Sequence, residues 1–213
     1  MRLYDYFRSS AAFRVRITLH LKGIAYEQVP IHLLKEGGIQ HQAHYHAINA
    51  QELIPALVLD SGETLTQSIA IIEYLEAIHP SPSLLPTDLI QKAKVRAIAN
   101  MVACDIHPLN NLRVLQYMKN NLHMTEDQKN AWYQHWIQTG FRAIEEMLPQ
   151  HDDSFAFGES PTLADVCLVP QIYNAIRFKC ETNNFPKLQR IYENAFAHPA
   201  ISRAFPENQP DAE

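Results

Sequence analysis

Between Pro80 and Thr87 the chain reads Pro-Ser-Pro-Ser-Leu-Leu-Pro-Thr, and the spacing of apolar residues differs on its two sides. Such a run continues neither a helix nor a central strand, because each proline fixes φ and removes a backbone donor. Before it, short apolar runs alternate with turn signals. Leu3–Phe7 reads as a strand, Ser10–Lys22 as a helix closed by Gly23, and Tyr26–Ile31 as a second strand. Pro55–Leu59, the turn Asp60–Glu63 and Thr64–Thr66 form a hairpin pattern. From Ser68 the apolar residues Ile71, Leu75 and Ile78 recur at helical spacing until His79-Pro80 stops them. After the proline-rich run every periodic stretch is helical: Ile90 to about Asn121, broken at Pro108; Glu126 to Leu148; Leu163 to about Phe178; then shorter pieces to Phe205. The pattern predicts an α/β domain over 1–80, a linker over 81–88 and an all-α domain over 89–213, with a mobile tail from Pro206.

Composition narrows the function classes. Hydrophobic residues at 46% and charged residues at 19% describe a soluble globular protein. No apolar run approaches the roughly 20 residues of a membrane span. Arg2, Asp5 and Arg8 interrupt any apolar leader. Cys104, Cys167 and Cys180 are odd in number and far apart, which predicts reduced thiols and a cytoplasmic protein. A net charge of −5 without a basic stripe argues against nucleic acid as a partner. An acidic substrate therefore has to be held by local arginines, not steered by the overall field.

The first strand-to-helix turn carries the richest chemistry. It reads Arg8-Ser9-Ser10-Ala11-Ala12-Phe13-Arg14-Val15-Arg16. A helix N-terminus favours an anion, hydroxyls donate to it, and the flanking arginines raise the positive potential. The plainer reading, a serine N-cap, is the better account of a lone Ser-Ser pair, and only company elsewhere in the chain shifts that balance. In thioredoxin-like domains this turn holds the reactive cysteine pair, whereas here Ser9 and Ala12 occupy those places. On a thioredoxin-like fold the sulfur must then come from outside, and glutathione is the obvious donor.

Other features are open to two readings. Ser68 at a helix start either binds a carboxylate or only caps the helix. Pro55 at a strand start is by default a trans proline. His41, His44 and His46 could suggest a metal, but no carboxylate or thiol has matching spacing, and solvated histidines on a mobile loop fit better. Metal is not expected. His107 and Asn111, four apart in the long helix around Pro108, are expected to share a face. Thr162 and Asp165 form a capping-box pattern worth about 1 kcal/mol.

Several stretches together resemble the zeta class of glutathione transferases, the maleylacetoacetate and maleylpyruvate isomerases. They are Ser9-Ser10-x-x-Phe13-Arg14-Val15-Arg16-Ile17, Leu53-Ile54-Pro55-Ala56-Leu57, Gln67-Ser68-x-Ala70-Ile71-Ile72-Glu73-Tyr74-Leu75 and Cys104-Asp105-Ile106-His107-Pro108-Leu109-Asn110-Asn111. Leu163-Ala164-Asp165, Leu168-Val169-Pro170-Gln171, Arg177-Phe178 and Gln209-Pro210-Asp211 also match. The resemblance implies a thioredoxin-like N-terminal domain plus an all-α C-terminal domain, a homodimer and bound glutathione. It implies a cis peptide at Ile54-Pro55, and glutathione contacts from Ser9, Ser10, Gln51, Ile54, Pro55, Gln67, Ser68, Asp105, His107 and Asn111. Arg8, Arg113 and Arg177 are implied to grip a small dicarboxylate substrate, with Ser9, Ser10, Arg8 and Arg177 catalytic. The implied reaction is glutathione-dependent cis–trans isomerisation of maleylacetoacetate, with maleylpyruvate isomerisation, general conjugation and a non-catalytic module as alternatives. Three departures stand out: Ala11 where many members carry Cys or Thr, Ala50 in place of a proline, and Leu112 where some maleylpyruvate isomerases carry arginine.

Overall fold

Leu3 and Tyr4 show how the N-terminal sheet is built. Neighbouring residues of a strand face opposite sides, and both sides here are covered. The computed structural model describes residues 1–213. Strand β1 (Arg2–Asp5) lies between β2 (Glu27–Pro30), to which it is parallel, and β3 (Ala56–Val58), to which it is antiparallel. β4 (Thr64–Thr66) pairs antiparallel with β3, so the order is β2-β1-β3-β4. Tyr4 pairs with Ala56 and Ala56 with Thr66. Helices α1 (Ser10–Leu21) and α3 (Ser68–Ile78) pack against each other. Tyr4, Ala56 and Val58 belong to a cluster with Tyr6, Phe7, Ile31, Ile54 and the fully buried Tyr45 of α2 (Ala43–His46).

The polar stretch 35–49 is therefore a structured cover and not the mobile loop expected from its composition. It folds as two short 3₁₀ turns followed by α2. Tyr45 anchors it, donating its hydroxyl to the Leu53 carbonyl at 2.6 Å while its ring lies 6.0 Å from that of Tyr4.

Helix α1 is buried along Ala12–Leu19, including Arg14, Arg16 and Thr18. Buried guanidinium groups need partners. Arg16 donates through one nitrogen to both Asp5 carboxylate oxygens, each at 2.8 Å, through another to the Phe7 carbonyl at 2.9 Å, and through Nε to Ala204 at 3.0 Å. At the other end of α1, Lys22 donates to His79 and Pro82 carbonyls and pairs with Glu76.

The chain divides into two compact units, Met1–Ser83 with Ala197–Glu213, and Leu84–Phe196. The last 17 residues thus group with the sheet, not with the helical domain to which the sequence reading assigned them. The tail is also tied down. Gln209, buried, donates to the Arg203 and Phe205 carbonyls at 2.8 Å each. Asp211 accepts from the Phe7 amide at 3.1 Å.

In the helical unit, α4 (Leu89–Asn100) packs against α7 (Leu163–Arg177). Between α4 and α5 (Leu112–Asn120) the chain passes through a π-helical segment, Met101–Ile106, and a 3₁₀ turn, His107–Asn110. Helix α6 (Glu126–Met147) approaches the π segment at Gly140, where a Cβ would lie 2.2 Å from Cδ1 of Ile106. Helix α8 (Pro186–Ala197) starts on the Glu145 carboxylate, which accepts from the Lys187 and Leu188 amides at 2.9 and 3.2 Å. A short α9 (Pro199–Ser202) leads into the tail. No helix is long and apolar enough to cross a membrane.

Candidate active site

The pairing of Tyr4, Ala56 and Thr66 in one row fixes where the surrounding turns emerge. β1 runs into Arg8-Ser9-Ser10, Ile54-Pro55 leads into β3, and β4 runs into Gln67-Ser68. All three turns thus leave the same end of the sheet. A parallel β1–β2 pair joined by a helix puts the strand-to-helix turn at that end as well.

Ser9 is the N-cap of α1: its Oγ accepts from the Ala12 amide at 3.2 Å. The plainer sequence reading thus describes the geometry, but it does not use up the group. A hydroxyl that accepts on oxygen still has a proton to donate. Ser10 begins the helix and is buried. Arg8 is exposed, with its guanidinium carbon 4.7 Å from the centroid of the Phe7 ring.

The second helix start differs from the first. Gln67, at φ 68°, holds a backbone conformation that non-glycine residues rarely adopt, and no side chain caps α3. A residue held there costs about 1–3 kcal/mol and persists where its surroundings over-determine it. Gln67 donates its side-chain amide to Gln51 at 2.8 Å, so the structure brings these two predicted residues together. Ser68 is buried, and its hydroxyl accepts from Arg14 at 3.2 Å. Arg14 thereby joins the two helix starts. Its sequence position spoke only for positive potential, and nothing local pointed to this contact. Ile54-Pro55 is cis, as the resemblance implied.

His41 and His46 lie beside a carboxylate that their spacing did not reveal. Their Nδ1 atoms face the two oxygens of Glu52 at 2.6 and 3.0 Å, and these bonds hold the Glu52 carboxyl below its ordinary range. His44 is exposed on α2.

In the helical unit, Asp105 is exposed within the π segment and His107 is half-buried where that segment ends. The expected shared face of His107 and Asn111 does not exist. Asn111 is extended (ψ 146°) and caps α5, its side-chain oxygen accepting from the Arg113 amide at 3.1 Å. A proline two residues into the 3₁₀ turn and an asparagine well suited to capping break the helix between them. The Arg113 side chain is exposed. Arg177, exposed at the end of α7, lies over the Phe178 ring at 4.7 Å. Phe178 stacks on Tyr133 of α6 at 3.8 Å, and the Tyr133 carbonyl accepts from Asn110 at 3.2 Å. Tyr133 thus brings Arg177 near the His107–Asn111 segment.

Two of the three cysteines offer little competing chemistry. Cys167 is buried, and burial pushes the Cys180 thiol up to about 11. That change works against a nucleophilic thiolate.

Comparison with known proteins agrees with this arrangement. Residues 3–83 match the family described as glutathione S-transferase, N-terminal domain, and residues 110–205 match glutathione S-transferase, C-terminal domain. A maleylacetoacetate isomerase of Pseudomonas aeruginosa is 46% identical over 99% of this chain and 98% of its own. The holo structure of a maleyl pyruvate isomerase, a bacterial zeta-class transferase, is 41% identical and superimposes with a TM-score of 0.96 over 100% of both chains. A maleylacetoacetate isomerase from Anaeromyxobacter dehalogenans, with dicarboxyethyl glutathione and citrate bound in its active site, is 40% identical with a TM-score of 0.88, over 100% of this chain and 97% of that one. The chain belongs to the glutathione S-transferase family, in the zeta class of maleylacetoacetate and maleylpyruvate isomerases.

Proposed function

We propose that this protein catalyses the glutathione-dependent cis–trans isomerisation of maleylacetoacetate to fumarylacetoacetate. The observation that carries the reading is the convergence of three turns, Arg8–Ser10, Ile54-Pro55 and Gln67-Ser68, at one end of the sheet in a chain that matches isomerases over its full length. The residues present fit the tripeptide. The first turn of α3 has no side-chain cap, and the Ser68 oxygen is already occupied by Arg14, which leaves its proton to donate. That set suits a carboxylate.

Bound glutathione supplies a thiol nucleophile that adds reversibly to a double bond conjugated with a ketone, so that the bond turns while it is single. The chain's own residues make that thiol acidic and receive the charge. Ser9, its oxygen occupied by the Ala12 amide, keeps a hydroxyl proton that would be donated to the thiol sulfur. The α1 N-terminus adds a positive partial charge, and both act to lower the thiol pKa. Gln67 and Ser68 hold the γ-glutamyl end, with Gln51 orienting Gln67. Ile54 and Pro55 would hold the cysteinyl portion, and class membership supports Asp105, His107 and Asn111 as further glutathione contacts. Arg8, Arg113 and Arg177 bind carboxylate and keto oxygens of the substrate. Arg8 or Arg177 stabilises the enolate oxygen by charge-assisted hydrogen bonds. The ligand of the Anaeromyxobacter relative, a glutathione bearing a dicarboxyethyl group, supports this division between thiol and dicarboxylate subsites. Class membership supports a homodimer and a cytoplasmic location.

Maleylpyruvate is the second substrate to be assayed, favoured by the superposition on a maleyl pyruvate isomerase. Ultraviolet assays of both cis diketo acids, with and without glutathione, test the reading. The expected result is turnover that requires glutathione without consuming it, lost by about 100-fold in Ser9→Ala. Net consumption of glutathione with an electrophile, and no turnover of either diketo acid, refutes the isomerase reading.

A further inference from the structure

The segment Ala204–Asp211 returns to the turn that bears Arg8, Ser9 and Ser10, and its bonds there converge on the Phe7 backbone and on what supports it. The Phe7 amide donates to Asp211 Oδ2 at 3.1 Å, and the Phe7 carbonyl accepts from Arg16 at 2.9 Å. Arg16 is itself fixed by Asp5 and by the Ala204 carbonyl. Phe205 meets Phe13 edge-on at 5.1 Å, and Gln209 holds the tail by two carbonyls just before Asp211. Asp211 gains little for itself. Its second oxygen is buried without a hydrogen-bond partner, and its charge opposes that of Asp5. A half-buried carboxylate that makes one bond to a backbone amide and leaves its other, inaccessible oxygen unbonded is a poor device for stability alone.

Phe7 immediately precedes Arg8 and Ser9, and the Ser9 amide donates to the Tyr6 carbonyl at 2.8 Å. The orientation of the Phe7 peptide therefore sets where the Ser9 hydroxyl and the α1 N-terminus point. We infer that Asp211 is a positioning residue for the isomerisation: by holding the Phe7 amide it aims Ser9 and the helix N-terminus at the glutathione sulfur. The inference rests on the reading of this chain as a glutathione-dependent isomerase. It assigns a purpose to the Gln209-Pro210-Asp211 ending, which the substrate and cofactor contacts leave unused.

The test compares Asp211→Ala, which removes the acceptor, with Asp211→Asn, which keeps an oxygen in the same place. Three quantities are measured on the full chain: the thiol pKa of bound glutathione by thiolate ultraviolet absorbance, kcat for the diketo acid, and amide hydrogen exchange at Phe7 and Ser9. Asp211→Ala is expected to raise the thiol pKa by about one unit and lower kcat roughly ten-fold, with KM for the diketo acid unchanged. Phe7 and Ser9 amides exchange at least roughly ten-fold faster while β3 amides do not. Asp211→Asn restores all three. An unchanged thiol pKa in Asp211→Ala overturns the inference, as does exchange that rises equally throughout the chain, which marks a merely structural residue. Failure of Asp211→Asn to rescue overturns it too. These readouts use bound glutathione and backbone amides. A wild-type protein that binds glutathione but turns over neither diketo acid therefore refutes the isomerase reading without touching the thiol-pKa comparison.

Discussion

Removing the Asp165 carboxylate should destabilise the helical unit far more than an ordinary helix cap would. Asp165 is fully buried at the start of α7. One oxygen accepts from the Thr162 amide at 2.8 Å and its hydroxyl at 2.7 Å, and the other accepts from the Ala156 amide at 2.8 Å. The side chain therefore closes the helix N-terminus and also pins the incoming loop. A solvent-exposed cap is worth about 1 kcal/mol, because water replaces it when it is cut away. Here Ala156 and Thr162 are both buried, so Asp165→Ala strands two amide donors at roughly 1–3 kcal/mol each. Against that stands the relief of no longer burying a charge. Burial is the largest influence on this carboxyl and pushes its pKa up in spite of three donors. The two opposing effects leave an expected net loss of about 3 kcal/mol.

Urea unfolding followed by tryptophan fluorescence reads this directly. Both tryptophans, Trp132 and Trp136, lie on α6 in the same unit as Asp165. Asp165→Asn should fall between wild type and Asp165→Ala, since its amide presents an acceptor to one side but sets a donor against a donor on the other. A loss below about 1 kcal/mol in Asp165→Ala would show that water reaches the cap, and the reasoning from burial would fail.

Three further outcomes are expected. In Gly140→Ala the new Cβ meets Ile106 Cδ1 at 2.2 Å and Cγ1 at 2.5 Å, so overpacking of about 1–3 kcal/mol outweighs a helix-propensity gain of about 1 kcal/mol. A higher urea midpoint than wild type would refute this. Arg177→Ala should lower kcat/KM for the diketo acid about 100-fold with KM for glutathione unchanged, and an equal loss in both would refute the division of subsites. Hydrogen bonds from His41 and His46 lower the Glu52 pKa, so its contribution to stability is present above the ordinary value of 4.5 and is lost as pH falls through the lowered folded value. A carboxyl-carbon NMR titration placing Glu52 at or above 4.5 contradicts that pairing.

How far such features can be read from sequence depends on the range of the contact that creates them. Helix starts at Ser10, Ser68 and Leu163 were legible because caps and apolar spacing act within one or two turns. The strand pattern was legible as well, to within a residue or two at each end. Arg16 was not: its partners Asp5, Phe7 and Ala204 lie 9 to 188 residues away, and an arginine among apolar residues has no local signal for being buried. Residues 35–49 looked like a loop because their composition is polar, yet Tyr45 supplies one fully buried ring that docks the segment on the sheet. The π segment at Met101–Ile106 likewise coincides with a close approach by α6 at Gly140, 34 residues further on.

The candidate site follows a related logic. Where the chain obeys local rules it builds scaffold: Thr125 caps α6 by a complete capping box, Asp165 closes α7, and Glu145 seats α8. Departures from those rules fall where a ligand is proposed to bind. Gln67 is in the left-handed region without being glycine, and the helix after it lacks a side-chain cap. Asp105 and His107 occupy or close a π segment, a form that recurs at functional sites. A strained residue before an uncapped helix lowers stability in the free protein, and a bound carboxylate that satisfies the exposed amides returns part of that cost. On this argument glutathione should stabilise the sheet unit beyond what its affinity for a cap-satisfied helix would give, and the same amides that the free chain leaves unclaimed are the ones that select an anionic ligand.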